Sequence, residues 1–297
     1  MSYRDSTAAE IKAAAQEKIE AADRFQQRHA ALAVPVAVFR KFSDDGSANL
    51  ASMIAFWAFF SLFPLLLVFV TLLGYFLPTN LKDRVLDHVS AMLPLLNSGS
   101  VHGLNGAWWT LVLGLATALW SGMAVVRNVE YAFNNVWGIP RKERPALVSQ
   151  IGRALSVLAT VGLGLVLSTL VAGFVSGTAT GVNLGWYGRV AGYLVALALD
   201  IGLFVAAFRI LTNRDVSTRD VLPGSLLAGG LFFVLQSLSS LIISRYLQHA
   251  QGTYGQFATV ITILWWFYLQ SMITMVGAEL NVVLKTRAHP RGLIAHE

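Results

Sequence analysis

Two carboxylates stand in apolar runs that have little use for them. Asp200 interrupts the run 190–208, and Glu279 lies near the end of the run 256–284. An ionised carboxylate at the middle of a bilayer costs about 2.5–3.5 kcal/mol on insertion scales. Such a group must face other helices or a wet cavity. For Asp200 that leaves a proton relay, a substrate contact, or a neutral acid hydrogen-bonded to a neighbouring helix. Glu279 shares its membrane depth with Arg127, Arg153 and Arg209, and the expected pair is Arg209 with Glu279. These groups are either structural ion pairs or an anion-binding or gating cluster. Arg127, Glu130 and Asn134 lie at i, i+3 and i+7, one stripe of a helix. Asn213 stands one turn beyond Arg209, and Asn281 two residues after Glu279. Pro64 lies in the middle of another apolar run, with Ser61 just before it. Proline removes a backbone hydrogen bond and kinks a helix, and the carbonyl freed near Phe60 can take a Ser hydroxyl or water. A kink there serves either packing or a substrate site, as in transporters with broken helices.

Other chemistry is missing. The chain has no cysteine, so it offers no thiol nucleophile, disulfide or Cys-ligated metal. Its six histidines are scattered and form no His-x-His or His-Glu-x-x-His pair. There is no Gly-x-x-x-x-Gly-Lys-Ser/Thr loop and no Gly-x-Ser-x-Gly elbow. Neither an enzyme activity, a metal nor an organic cofactor is expected.

The elements that position these groups are membrane helices. Residues 50–77 run LASMIAFWAFFSLFPLLLVFVTLLGYFL, 28 residues without a charge. At 1.5 Å per residue this exceeds a hydrocarbon core of about 30 Å. Of the 297 residues 55% are hydrophobic and 13% charged, against about 25% charged in soluble domains. Five further apolar runs follow, near 107–126, 151–175, 190–208, 221–244 and 256–284. The expected fold is all-α and polytopic, with six transmembrane helices in a domain spanning 34–287.

Residues 1–33 form a cytoplasmic amphipathic segment, with Ile11, Ala15, Ile19, Ala22 and Phe25 at helical spacing. A short segment at 34–42 is expected in the membrane interface. The loop 78–106 is the only long outer connection, and its Leu81, Val85, Val89 and Leu93 share one helical face. Residues 288–297 are a cytoplasmic tail. Gly138 and Pro140 should stop the helix that carries Arg127 to Asn134. Gly224 and Ala228, four apart, permit close helix packing.

Cation placement orients the chain. With both termini inside, 18 of the 22 Lys and Arg fall on the cytoplasmic side, and only Lys82, Arg84, Arg189 and Arg245 fall outside. That asymmetry obeys the positive-inside rule. It accounts for the net charge of +6 without a nucleic-acid partner. Membrane lipids are the expected partners.

Three stretches together resemble the YihY/BrkB family of six-helix bacterial inner-membrane proteins. They are AFWAFFSLFPLLLVFVTLLG at 55–74, LWSGMAVVRNVEYAFNNVWGIP at 119–140, and TYGQFATVITILWWFYLQSMITMVGAELN at 253–281. A fourth, FRILTNRDVSTRDVLPG at 208–224, departs at Thr212, where the family has proline before Asn213. Met123 and Ala124 depart from a more polar Ser-Arg pair. The resemblance implies a multi-pass protein of the bacterial inner membrane with a transport or envelope role. The family has carried a ribonuclease label, which conflicts with the residues above, and its members have been linked to virulence and envelope lipid export. The leading expectation is a transporter or flippase-like protein for a lipidic or anionic amphiphile. Its candidate path or gate is Ser61, Pro64, Arg127, Glu130, Asn134, Asp200, Arg209, Asn213, Glu279 and Asn281. The alternative is a non-transporting envelope scaffold.

The absence of native cysteine makes the threading directly testable. Cysteine introduced at Ser100 should react with an impermeant thiol reagent in intact cells, and cysteine at Asp215 only after permeabilisation. Equal labelling of both would defeat the threading.

Overall fold

The structure is a computed structural model and describes residues 30–76, 108–140, 142, 152–157, 159–160, 164, 185–238 and 257–286. Six helices carry the fold: α1 Ala30–Asp44, α2 Ser47–Phe76, α3 Trp108–Val136, α4 Gly185–Leu211, α5 Thr218–Ser237 and α6 Phe257–Lys285. A short helical stretch at 152–157 lies between α3 and α4. Among the described residues all regular structure is helical.

Five helices, α2 to α6, are long and apolar enough to cross a membrane. The sixth expected crossing, 151–175, falls mostly outside the described residues, as do the segment 1–29, the outer loop 78–106 and the tail 288–297. In the most apolar 18-residue window of each span, only 11–28% is buried against protein. Helices this apolar and this uncovered are stable only if lipid covers the rest.

Local signals set the helix ends. Gly46 has φ 62° and turns α1 into α2, with Asp45 N–H donating to Lys41 O at 2.9 Å. The end of α3 is a paired left-handed cap. Gly138, at φ 64°, donates to Asn135 O at 2.9 Å, and Ile139 N–H donates to Asn134 O at 2.8 Å. Carbonyls that an α-helix leaves unpaired are thereby satisfied. This is where Gly138 and Pro140 were expected to stop the helix. At the start of α5, Ser217 N–H donates to Asp220 Oδ2 at 2.9 Å, closing the first turn.

Pro64 does not end α2, which continues to Phe76. Ser61 Oγ donates to Ala58 O at 2.8 Å rather than to the carbonyl near Phe60. A hydroxyl reaches the carbonyl three residues back in its own turn more readily than the one next to it.

The helices pack as α2 on α3 and α6, α5 on α4 and α6, and α1 along α6. The expected interfacial segment 34–42 belongs to α1. One face of it is buried, with Ala37 and Val38 against Val283 of α6, while Phe39 on the other face is 74% exposed. Fully buried side chains gather at one end of the bundle. They include Phe133 and Val136 of α3, Phe208 and Leu211 of α4, Val221 of α5, and Met275 and Val283 of α6. This is the end assigned to the cytoplasmic side by cation placement.

Without a hydrophobic drive between helices in lipid, close backbone approach carries much of the association. The closest approach is α5 on α6. A Cβ added at Gly224 would stand 2.0 Å from Gly277 O and 2.5 Å from Asn281 Oδ1, and one added at Gly277 would stand 2.8 Å from Ala228 Cβ. The spacing of Gly224 and Ala228 thus serves a crossing whose other half is Gly277. Asn281 seals it, because its Oδ1 accepts the Gly224 N–H at 2.7 Å.

Gly224→Ala should therefore destabilise the protein by about 1–3 kcal/mol, the usual range for overpacking. Gly230→Ala, where nothing lies within 4 Å, should be neutral or slightly stabilising. Unfolding midpoints in detergent check both; equal midpoints for the two variants would mean the crossing is not tight.

Candidate functional site

Two polar clusters occupy the packed end, and they differ in character. The first centres on Glu279, which is fully buried. Ser47 Oγ donates to Glu279 Oε1 at 2.5 Å, and Lys41 Nζ lies 3.1 Å from Oε2. Lys41 also donates to Val136 O at 2.8 Å and pairs with Asp45. Val136 is the last residue of α3, so the ammonium meets a helix C-terminus, where the backbone carries partial negative charge. One lysine therefore ties α1 to α3 and α6, and one glutamate ties α6 to α1 and α2.

The expected pair of Arg209 with Glu279 is not formed. Arg209 is exposed on α4, and its Nη1 donates to Thr218 Oγ1 at 3.2 Å. The physical reason is packing. The inner end of α6 is covered by α1, α2 and α5, which places α1 beside Glu279. Lys41 and Ser47 were not among the expected site residues. A signal was available: Ala33, Ala37 and Lys41 recur every four residues, so Lys41 continues the small-residue face that docks α1.

The second cluster joins α3 to the segment after α4 and to the helical stretch at 152–157. Asn213 Nδ2 donates to Glu130 Oε1 at 2.8 Å, and Asn213 N–H donates to Asn134 Oδ1 at 2.9 Å. Arg153 Nη1 donates to Asn213 Oδ1, and the same guanidinium lies 4.0 Å from Glu130 Oε1. Glu130 and Asn134 are buried, but the Arg153 side chain is 37% exposed. The stripe Glu130–Asn134 was legible from spacing, and the structure brings Asn213 to it. Arg127 begins the same stripe yet stays exposed, with its Nε turned back to Met123 O at 3.3 Å. The arrangement holds one guanidinium in place by neutral and acidic partners and leaves part of it open. Such a group can bind an anionic oxygen.

Beside this cluster is a set of packed rings. Phe133 and Phe208 have ring centroids 5.1 Å apart, Phe204 and Phe208 5.9 Å, and Phe204 and Phe232 5.9 Å. Asp200 lies on α4 one turn before Phe204, half-buried. Ser61 and Pro64 sit on α2 and join neither polar cluster among the described residues. Asn281 belongs to the Gly224 crossing. Among the described residues, no three His, Asp or Glu stand together as metal ligands.

The chain matches the family described as Virulence factor BrkB over residues 38–297. It is 27% identical over 267 residues to YfkH of Bacillus subtilis, whose name describes it as ribonuclease-like, covering 84% of this chain and 94% of that one. A UPF0761 membrane protein of Aromatoleum aromaticum is 27% identical over 257 residues, covering 82% of this chain and 61% of the relative. Another of Pseudoalteromonas translucida is 26% identical over 260 residues, covering 85% and 75%. No solved structure matches.

The Glu279 pair should behave as a unit. Breaking a buried pair by removing one partner costs about 3–5 kcal/mol, because the other charge is left alone. Glu279→Gln and Lys41→Met should each lower stability by about that much. The double variant should lose clearly less than the sum. Thermal unfolding of the four proteins in detergent measures the coupling; additive losses would show the two charges to be independent.

Proposed function

The chain belongs to the virulence factor BrkB family of membrane proteins, and from that membership we propose that it is a transporter or flippase-like protein for a lipidic or anionic amphiphile. The observation that carries this reading is Arg153. Its guanidinium is held by Asn213 and Glu130 at the inner end, and it is over a third exposed while Glu130 and Asn134 are buried. An anionic headgroup arriving from the inner side competes with Asn213 and Glu130 for that guanidinium. Its capture loosens the bonds that tie Asn213 to α3, so binding and release of α4 from α3 are one event. Arg127, exposed one turn before Glu130, adds positive charge at the entrance. The membrane is the bacterial inner membrane, with both termini in the cytoplasm. A chain without an ATP-binding loop runs such a cycle downhill or on an ion gradient.

A second reading is a non-transporting envelope scaffold. It is favoured by the Lys41–Glu279–Ser47 cluster, whose groups face one another and leave the inner end rigid. The ribonuclease-like description belongs to YfkH by its name, and nothing in the site derived above supplies hydrolytic chemistry.

Flux of fluorescent phosphatidylglycerol and phosphatidylcholine analogues in proteoliposomes separates the two readings. The wild type should move the anionic analogue. Arg153→Gln should weaken its apparent affinity about tenfold or more, since a charge-assisted hydrogen bond contributes about 1.5–3 kcal/mol. The effect on the zwitterionic analogue should be smaller. No flux of either analogue above protein-free vesicles favours the scaffold.

A further inference from the structure

Asp200 is a carboxylate in the middle of a span, without a hydrogen-bond or ion-pair partner among the described residues. It sits in α4, Gly185–Leu211, which is unbroken around it. No hydrogen bond or ion pair reaches it from any described residue. It is half-buried. Asp200, Phe204 and Phe208 recur every four residues and so share one helical face. Phe204 packs on Phe232 of α5, and Phe208 packs on Phe133 of α3. Asp200 therefore stands one turn from the contact of Phe204 with α5. The next residue, Ile201, marks the closest approach of α4 to α5, where a Cβ added at Gly229 would stand 2.7 Å from Ile201 Cγ1.

The neighbouring stretches of sequence hold no counter-charge. On α5, the stretch 221–237 contains no Asp, Glu, Lys, Arg or His. The same is true of 108–126 on α3, and of 154–188, which includes Gly164 packed against Leu203. On α4 itself the nearest cations in sequence are Arg189 and Arg209, about 16 Å and 13 Å away along the helix. Arg209 is occupied with Thr218 on the exposed side. Glu130, the acid that α3 presents to α4, is bonded to Asn213. Holding an isolated carboxylate as an ion away from water is costly.

We infer that Asp200 is a proton-coupling site, taking up a proton from water on one side of the membrane and giving it up on the other as the bundle changes conformation. Uptake forms one O–H bond and cancels one negative charge. Release breaks that bond and returns the proton to water, so no oxidant or co-reactant is needed. Asp200 lies about three turns before the end of α4, and Asn213 just past that end. Loading of the carboxyl and binding at Arg153 thus occur at different places along one stretch of chain, and a change in the packing of α4 couples them. The inference deepens the transport reading and rests on it for the direction of coupling, while the protonation itself can be measured without any transported molecule.

The test uses the full-length protein in lipid vesicles. Infrared spectra of the wild type at neutral pH should show a protonated-carboxyl band that Asp200→Asn removes and Asp200→Glu retains. Phosphatidylglycerol-analogue flux should respond to an imposed pH gradient in the wild type and in Asp200→Glu. In Asp200→Asn the flux should fall to the rate seen without a gradient. A neutral-pH band identical in the wild type and Asp200→Asn overturns the inference, and so does an unchanged gradient response. A wild type that moves no probe sinks the transport reading instead, and the infrared comparison then decides Asp200. If Asp200→Asn does not fold, loss of the band and of gradient response in Asp200→Glu overturns the inference in its place.

Discussion

The buried contact of Lys41 with Glu279 is the constraint on which the packed end of the bundle depends. Neither charge is tolerable alone. Glu279 is fully enclosed, and Lys41 is nearly so. Together, with Ser47 and the Val136 carbonyl, they join four helices at a point, although Glu279 Oε2 accepts no hydrogen bond among the described residues. A buried pair adds little net stability over an apolar replacement, but it is demanding of partner and position. Apolar helices in lipid have no such preference, because any greasy face packs on any other. A pair that works only with α1 against α6 selects one arrangement.

The glycine crossing of α5 on α6 is the second fixed point. Backbone contact there leaves no room for a side chain, and Asn281 closes it through the Gly224 N–H. Lys285 and Asp220, 2.7 Å apart, add a surface bond between the same helices. The contact of α4 with α3 is of another kind. It depends on one asparagine, a few rings and an arginine with an open side. The bundle is held by buried backbone and ionic contacts at two places and by fewer at the third, and the part-open cation lies at the third. Asp200 lies further along the same helix.

Much of this was legible in the residues. Length and unbroken apolarity identified the spans, since no globular interior needs helices that greasy on every face. Gly138 and Pro140 marked the end of α3, and the spacing of Glu130 and Asn134 placed them on one stripe. The fourfold recurrence of Ala33, Ala37 and Lys41 was also present but not decisive. A lysine beside an apolar face more often snorkels to water than turns inward. Arg209 illustrates the opposite error. Its depth matched Glu279, but depth along a helix says nothing about which way a side chain faces.

The sequence by itself determined that the chain lives in a membrane, which stretches form its long apolar helices, and which face of α3 is polar. Those properties depend on local composition and on periodicity within one segment. Only the tertiary structure decided that Glu279 meets Lys41 and Ser47, that Gly224 meets Gly277, and that Asn213 meets Glu130 and Asn134. Each of these contacts joins residues far apart in the chain. In lipid, one apolar helix surface fits another almost equally well, so the choice of neighbours falls to a few small and polar groups.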